Sequence, residues 1–360
     1  MRWPEATCIP AVGSWLPTAV PTEQAVADGR LSPARAERLG YRSICVDETV
    51  APPDMARRAA AVAAARAGLG RRDVALLLHC STWFQGLDIW PTASYVAADL
   101  FPGACAIDLQ QRCNGALAAL ELAAAAVHAG PSNRSVMITT ADRFAGPGVD
   151  RWDMHEFNVY ADGAAALVLG RSPGFARLLS TVTVADNGLE GLARGDAPFT
   201  TESRAAAEPI DLITRGAQFT ARTDDTRNAV RIMRTMTKAA MTALRDAGRS
   251  REDLTRVVTA ATGRLPEGYH FHSMIGVDEK ITTWEFGSGT GHVGAGDWFL
   301  GLEHLMSSGE VGPGDTVLLF GGGAGYSCTA AVLEILAPAP WASADTTAPI
   351  AATAPTGAPL

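Results

Sequence analysis

Residues Asp108-Leu-Gln-Gln-Arg-Cys113-Asn-Gly115 run directly into Ala116-Leu-Ala-Ala-Leu-Glu-Leu-Ala-Ala-Ala-Ala126. Glu121 is the one charge between 116 and 126, and a helix without a polar face belongs inside a domain rather than on its surface. Cys113 is thereby predicted to sit where a buried helix begins. The first-turn amides of such a helix lack intrahelical acceptors and carry the positive end of the helix dipole. They favour a thiolate there and can hydrogen-bond the oxygen of its acyl adduct. The position suits a nucleophile; it also suits a small apolar residue, which is how most cysteines behave.

Outward from this helix the pattern is that of an α/β protein. Ala104 to Leu109 reads as the strand that feeds it, and Ser135-Val-Met-Ile-Thr-Thr140 as the strand that follows it. Val74-Ala-Leu-Leu-Leu-His-Cys80 is a continuous apolar run of strand length, as expected for a strand covered on both faces by helices. Residues 6 to 17 form a first strand, Met55 to Leu69 an Ala/Arg helix closed by Gly68 and Gly70, and Pro91 to Leu100 a helix opened by Trp90-Pro91. Tyr160-Ala-Asp-Gly163 is a tight turn into a strand at Ala164 to Leu169.

The second half repeats this order. Asp225 to Ala247 is an amphipathic helix and Arg256 to Ala261 a strand. Gly291-His-Val-Gly-Ala-Gly-Asp297 then leads into a helix at Trp298 to Met306, with strands at Asp315 to Phe320 and Tyr326 to Leu336 around a glycine turn, Gly321 to Gly325. From Cys113 to Val136 is 23 residues, and so is Val293 to Thr316. A duplicated fold would set Cys113 and the neighbourhood of His292 at equivalent helix starts, facing each other across the centre. The division is residues 1–172 for an N-terminal half carrying the cysteine, 173–336 for a C-terminal half carrying the histidine, and 337–360 for a disordered Ala/Pro/Thr-rich tail. Residues 187 to 223, mixing Gly, Pro, Thr and charge, read as a long loop or lid, or an ordinary surface insertion.

Composition narrows the function. With 360 residues, 47% apolar and 19% charged, the chain is an ordinary globular protein, and its net charge of −8 argues against nucleic acid or an anionic membrane as partner. There is no signal-peptide-like start and no run of about 18 apolar residues, so a cytoplasmic location is expected. Cys8, Cys45, Cys80, Cys105, Cys113 and Cys328 are scattered and show no ligand spacing with histidine. Free thiols are predicted, with no metal and no cofactor.

Four segments together resemble β-ketoacyl-ACP synthase III enzymes of the thiolase fold, over about residues 1 to 336: Cys113-Asn-Gly115, Tyr160-Ala-Asp-Gly-Ala-Ala-Ala166, Pro313-Gly-Asp315 and Gly321 to Gly325. The resemblance implies a five-layered αβαβα sandwich of duplicated halves, an obligate homodimer, and ping-pong transfer in which Cys113 takes an acyl group from coenzyme A or acyl carrier protein. It further implies an oxyanion hole from the amides of Cys113 and Ala324. Trp90 falls where members place an aromatic residue that enters the partner's acyl pocket. Condensing members hold a histidine in a His-Gln-Ala-Asn segment and an asparagine in a Gly-Asn segment, two donors for an enolate. Here the first segment reads Ala261-Thr-Gly-Arg264, and His292 stands at the asparagine position.

A cysteine with one histidine resembles the family branch, in natural-product pathways, that transfers acyl groups to oxygen or to another carrier. His292 would be the general base and Asp297 the acid that orients it, although Asp297 is equally placed to act as a helix N-terminal charge. The expected function is transfer from an acyl-ACP or acyl-CoA to a hydroxyl of a sugar or polyketide-type acceptor, or to another carrier, in secondary metabolism and without decarboxylative condensation, with a condensing enzyme, a non-catalytic synthase subunit and a thioester hydrolase as alternatives. Arg227, Arg231, Arg234, Lys238 and Arg245 recur along one face of the 225–247 helix, either a docking surface for acidic carrier protein or a solvated basic face. His270 and His272 read as solvated loop residues or part of an acceptor pocket.

Overall fold

The apolar runs of the first half become strands. In chain order this half holds β1 (Cys8–Trp15), ribbon strands β2 (Ala19–Pro21) and β3 (Ser43–Cys45) flanking helices α1 (Thr22–Ala27) and α2 (Pro33–Leu39), then α3 (Pro52–Arg66), β4 (Val74–Cys80), α4 (Thr92–Leu100), β5 (Cys105–Leu109), α5 (Gly115–Ala129), β6 (Ser135–Asp142) and β7 (Gly163–Gly170). The second half holds β8 (Ala176–Ala185), α6 (Gly191–Arg194), α7 (Leu212–Thr223), α8 (Asp225–Ala247), β9 (Leu254–Thr259), α9 (Trp284–Thr290), α10 (Asp297–Ser308), β10 (Thr316–Gly323) and β11 (Ser327–Ile335). The computed structural model describes residues 1–200, 209–265 and 270–341.

Both halves have one topology. The first orders its strands β5-β4-β6-β7-β1, and the second runs β9-β10-β11-β8. Beyond β9, Thr282 makes a parallel bridge to Val257, at the place β5 occupies beside β4. In each half the pairings are parallel, parallel, antiparallel, antiparallel in that order. β1 and β8 touch through Cys8 and Ile9 against Arg177 and Ala176, so the two sheets join as one of nine strands. Helices α5 and α10 share a single core between the two halves. α3 and α4 cover the far face of the first half, and α8 that of the second, with cores of their own. The result is the five-layered thiolase fold, with the starts of α5 and α10 at its centre.

Several expectations change. α5 is not buried all round: Leu122 is 53% exposed, left uncovered by the described residues. The predicted loop or lid at 187–223 carries two helices. Asp211 caps α7 by accepting from Thr214 N, and Phe219 of α7 buries itself against Gly191; residues 201–208 of that stretch lie outside the described residues. The glycine run is mostly strand, since Gly321, Gly322 and Gly323 pair with Thr329, Cys328 and Ser327, leaving Ala324 to Tyr326 to turn. β8 has no counterpart in the sequence reading, because Ser180 and Thr181 lie buried in its middle and break the apolar run. The tail begins later than residue 337: Ala339 is buried and Trp341 packs edge-on against Phe175 at 5.4 Å, whereas 342–360 lie outside the described residues. No described helix is long and apolar enough to cross a membrane.

Candidate active site

Cys113 lies in a 3-10 turn, Arg112–Asn114, immediately ahead of α5 rather than within the helix itself. The turn is tied down from the other half: Asn114 Nδ2 donates to Ser327 Oγ at 3.1 Å and Thr329 Oγ1 at 3.0 Å, and Gln111 Nε2 donates to Ser327 Oγ at 2.9 Å. Arg112 takes φ +51°, a left-handed value uncommon outside glycine, and donates to Thr82 O at 2.9 Å. Cys113 is thereby half-buried with its thiol facing α10.

The facing start is built differently. Segment 159–161 holds His292 by its backbone, through His292 N to Val159 O at 3.0 Å and Ala161 N to His292 O at 2.9 Å. The neighbouring Gly291 has φ +79°, and a Cβ there would lie 2.7 Å from Ile44 Cγ2 and 2.8 Å from Ala161 Cβ, so glycine is required for the approach. His292 is 1% exposed. Its Nδ1 donates to Asp297 Oδ2 at 2.6 Å, leaving Nε2 to face Cys113 Sγ at 3.1 Å. Asp297, first residue of α10, turns its carboxylate back to accept also from Val293 N at 2.7 Å and Ala261 N at 2.7 Å. The helix-start and orienting roles are therefore filled by one side chain. Burial by itself would depress the imidazole. The Asp297 carboxylate and the Cys113 sulfur outweigh it and hold His292 well above the ordinary histidine value. A thiol, an imidazole and a carboxylate in a hydrogen-bonded line can pass a proton between sulfur and a second nucleophile.

Comparison with known proteins gives this trio a family. The profile of 3-oxoacyl-[acyl-carrier-protein (ACP)] synthase III matches residues 107–187, and that of its C-terminal region matches 244–335. The solved structure of the acyltransferase ChlB3 is similar at 36% identity and TM-score 0.89, covering 93% of this chain and 99% of that one. The chain belongs to the 3-oxoacyl-ACP synthase III family. The mycobacterial β-ketoacyl-ACP synthase III of Mycobacterium tuberculosis H37Rv is 29% identical over 295 residues, 80% of this chain and 82% of the relative. The synthase III structure from Pseudomonas aeruginosa PAO1, at 22% identity and TM-score 0.74 over 93% of this chain and all of that one, shares the fold.

Within this synthase III family member, the place of the missing histidine segment has an altered use. Ala261 begins Ala261-Thr-Gly-Arg264, and its amide is spent on Asp297. The end of β10 runs against the cysteine turn: a Cβ on Gly323 would lie 2.7 Å from Asn114 N and 3.2 Å from Cys113 N, so only glycine brings the strand end and the following Ala324 this close. Trp90 is half-buried with its ring 5.2 Å from that of Tyr95 in α4. The basic residues of α8 lie together on the surface, yet they are not equivalent. Asp186 grips Arg231 through Nε at 2.8 Å and Nη2 at 2.5 Å, and Arg245 pairs with Asp246, while Arg227, Arg234 and Lys238 have no ion-pair partner among the described residues.

Three groups near the trio escaped the sequence reading. Asp142, fully buried at the end of β6, accepts from Thr82 N and Trp83 N beneath Gly294; burial pushes it up to about 7 against those two amides and His292. Asp162 takes a two-pronged contact from Arg151 at 3.0 and 3.1 Å and accepts from Asp47 N and Phe144 N, which fixes the 159–161 segment. Tyr160 sets its ring 5.4 Å from that of His292. The Tyr160-Ala-Asp-Gly163 motif was a signal for the last two, though its meaning lies in a contact with the other half. His270 and His272, expected in solvent, are 6% and 8% exposed because Trp284 and the turn that follows enclose them.

Proposed function

We propose that the protein is an acyltransferase that carries an acyl group from an acyl-ACP or acyl-CoA thioester, through a Cys113 thioester, to a hydroxyl of a small-molecule acceptor or to another carrier, without decarboxylative condensation. The observation that carries this reading is the line Cys113 Sγ, His292 Nε2, His292 Nδ1, Asp297 Oδ2, with separations of 3.1 and 2.6 Å at its two contacts.

In the first half-reaction His292 takes the thiol proton as sulfur attacks the donor carbonyl. The tetrahedral oxygen lies within reach of the Cys113 and Ala324 amides, and collapse expels the carrier thiolate, which leaves with the proton from His292. Acylation then turns the sulfur into a neutral thioester and so removes one of the two influences that raise His292, and the imidazole is better able to be neutral for the second half-reaction. There His292 accepts the acceptor's hydroxyl proton while oxygen attacks the acyl carbon, and the proton goes back toward the departing Cys113 sulfur. Condensation instead requires two donors to an enolate. His292, committed to Asp297 and Cys113, is a proton carrier, and Ala261 offers no side-chain donor. The similarity to ChlB3, described as an acyltransferase, supports the same reading.

A homodimer belongs to this reading. β5 is an edge strand with Cys105, Ile107 and Asp108 exposed, and Phe84, Leu87 and Ile89 stand out of the adjacent loop leading to Trp90. An apolar edge of this kind is covered by a partner in stable proteins, and a second copy would set its Trp90 near this acyl pocket.

The test is His292→Asn. The variant should fold, still load acyl onto Cys113 but more slowly, with the helix-start amides left to favour the thiolate, and lose about a hundredfold or more in transfer, with acyl-enzyme accumulating by intact mass. Wild-type protein given a malonyl thioester should release no carbon dioxide at a catalytic rate. Carbon dioxide with a ketoacyl product restores the condensing enzyme, and undiminished transfer by the variant removes His292 from the mechanism.

A further inference from the structure

The turn after Ala261 gathers a second set of donors that the acyl-transfer reading does not use. His270 immediately precedes the 3-10 turn Phe271–Ile275, which contains His272, and Glu279 opens the next turn, Glu279–Ile281. The two imidazoles lie stacked, 5.3 Å between centroids and 22° between planes, instead of pointing to opposite sides of the chain. One donor atom from each of His270, His272 and Glu279 falls within 4.8 Å of the others. His270 Nε2 stands 3.3 Å from Glu279 Oε2 but is not aligned for a hydrogen bond, so a buried ring nitrogen is left without a hydrogen-bond partner among the described residues. Buried polar atoms of this kind are rare and call for an explanation.

We propose that His270, His272 and Glu279 bind one divalent transition-metal ion of the zinc class. Two imidazoles and a carboxylate are a donor set that suits such ions and disfavours magnesium and calcium, which take oxygen. Donors about 2.0–2.1 Å from a tetrahedral ion lie about 3.3 Å apart, the separation His270 Nε2 and Glu279 Oε2 already have. His272 then needs only the small closure that the half-exposed Glu279 side chain permits. Arg264 Nη2 holds the other carboxylate oxygen, Oε1, at 3.2 Å, so Glu279 bonds the ion through Oε2 alone, and the arginine orients it as outer partners of metal ligands do. Three protein donors leave at least one position for water.

The ion would act as a clip. Trp284 packs on His270 at 5.0 Å and on Tyr41 at 5.4 Å; Tyr41 Oη donates to Ala261 O at 2.6 Å, and Ala261 N donates to Asp297. Pinning 270–279 therefore braces the wall behind the Asp297 carboxylate, at a place distinct from Cys113.

The full-length protein, stripped with chelator, is titrated with cobalt(II) followed by visible absorption and with zinc(II) by competition, in wild type, Cys113→Ala, Glu279→Gln and His272→Asn. One equivalent should bind wild type and Cys113→Ala equally and raise Tm by several degrees in both. Glu279→Gln, at a half-exposed side chain that leaves the fold intact, should weaken binding by about 100-fold or more, with His272→Asn as a second route to the same loss. The proposal is overturned if wild type takes up no zinc at micromolar concentration, or if Glu279→Gln binds as wild type does. It is overturned equally if Cys113→Ala abolishes uptake, which would give the ion to the Cys113–His292 pair.

Discussion

The starts of α5 and α10 occupy equivalent places in two halves of one topology, yet they are built from opposite materials. The α5 start carries a half-exposed thiol on a turn secured by uncharged side chains, Gln111, Asn114, Ser327 and Thr329. The α10 start is buried throughout and secured by a carboxylate that satisfies two backbone amides and one imidazole. On the proposed mechanism the difference follows from what each must do. The nucleophile has to be reached by a bulky thioester, so its surroundings are open. The base and its acid need a fixed orientation and a low-dielectric setting, so theirs are closed. Duplication supplies two facing helix starts, and divergence at a few positions divides the chemistry between them.

That contrast predicts two kinds of failure. Cys113→Ala should abolish acyl loading and lower transfer by several orders of magnitude while changing Tm little, because the half-buried side chain is small and its one polar contact is to His292. Intact mass after incubation with acyl-CoA checks the loading, and a variant that transfers at the wild-type rate would remove Cys113 from its assigned role. Asp297→Asn should fail on both counts. An amide can donate to His292 Nδ1 and so favours the wrong tautomer, which should lower transfer by two or more orders of magnitude. It also sets an NH2 group against a backbone N–H that now donates to the carboxylate, costing about 1–3 kcal/mol for the donor left unsatisfied. Activity and thermal melts on the same sample separate this from His292→Asn, where activity falls and stability is kept.

Legibility in the sequence followed the same division. The apolar run 116–126 and the 23-residue intervals announced the central helices and the repeat, because burial and spacing are local properties. His292 and Asp297 lay five residues apart ahead of a recognisable helix. Ser180 and Thr181 hid β8, since a polar residue in a buried strand finds its partner elsewhere: Ser180 Oγ donates to Ala243 O at 2.6 Å. The roles of Asp142, Asp162 and the pair His270 and His272 were hidden for the same reason. Asp142 takes its amides from Thr82 and Trp83, and Asp162 accepts from Asp47 N, segments far back in the chain, while His270 and His272 are enclosed against Trp284 by a turn whose course no local pattern announces. The basic face of α8 was legible as charge and misleading as a set, because Asp186, the partner that removes Arg231 from it, follows the end of β8, 45 residues back in the chain.

A finer asymmetry concerns pH. Asp142 belongs to the first half but presses against Gly294 at the α10 start, and no described residue reciprocates with a buried carboxylate under the cysteine turn. Its folded value of about 7 stands above the roughly 3.9 of an unfolded aspartate, so the folded protein binds more protons between those limits. The stabilising contribution is fully present below about pH 4 and is lost as pH rises through about 7. Asp142→Asn stays neutral throughout. The difference in urea midpoint between variant and wild type should move in the variant's favour as pH is raised from 4 to 8. A difference that is flat with pH would mean the carboxyl is equally ionised in both states.

The smallest expected effect lies on the outer layers, where α3 and α8 are counterparts. The arginines of α3 are engaged within the chain: Arg57 with Asp99 and Tyr95, Arg58 over the Trp15 ring at 5.1 Å, Arg66 with Glu303 and Val12 O. On α8, Arg227, Arg234 and Lys238 have no such partner among the described residues, and Val230 and Met233 stand exposed among them at 48% and 44%. Cations that face solvent around an apolar strip suit an acidic protein with a hydrophobic contact, as an acyl carrier protein presents; a solvated basic helix face has the same charges without requiring the strip. Reversing Arg227 and Arg234 to glutamate, and sparing the occupied Arg231, should raise KM for a carrier-bound donor by a few-fold to about tenfold at low salt, with the penalty shrinking as ionic strength rises. Transfer from a small acyl-cysteamine thioester, which has no carrier to dock, should be unaffected. The same reversal on α3, at Arg58, should leave both donors alike. Equal losses for carrier-bound and small donors would mean that α8 acts through the fold and not through docking, and the two outer helices would then differ only in how their charges are solvated.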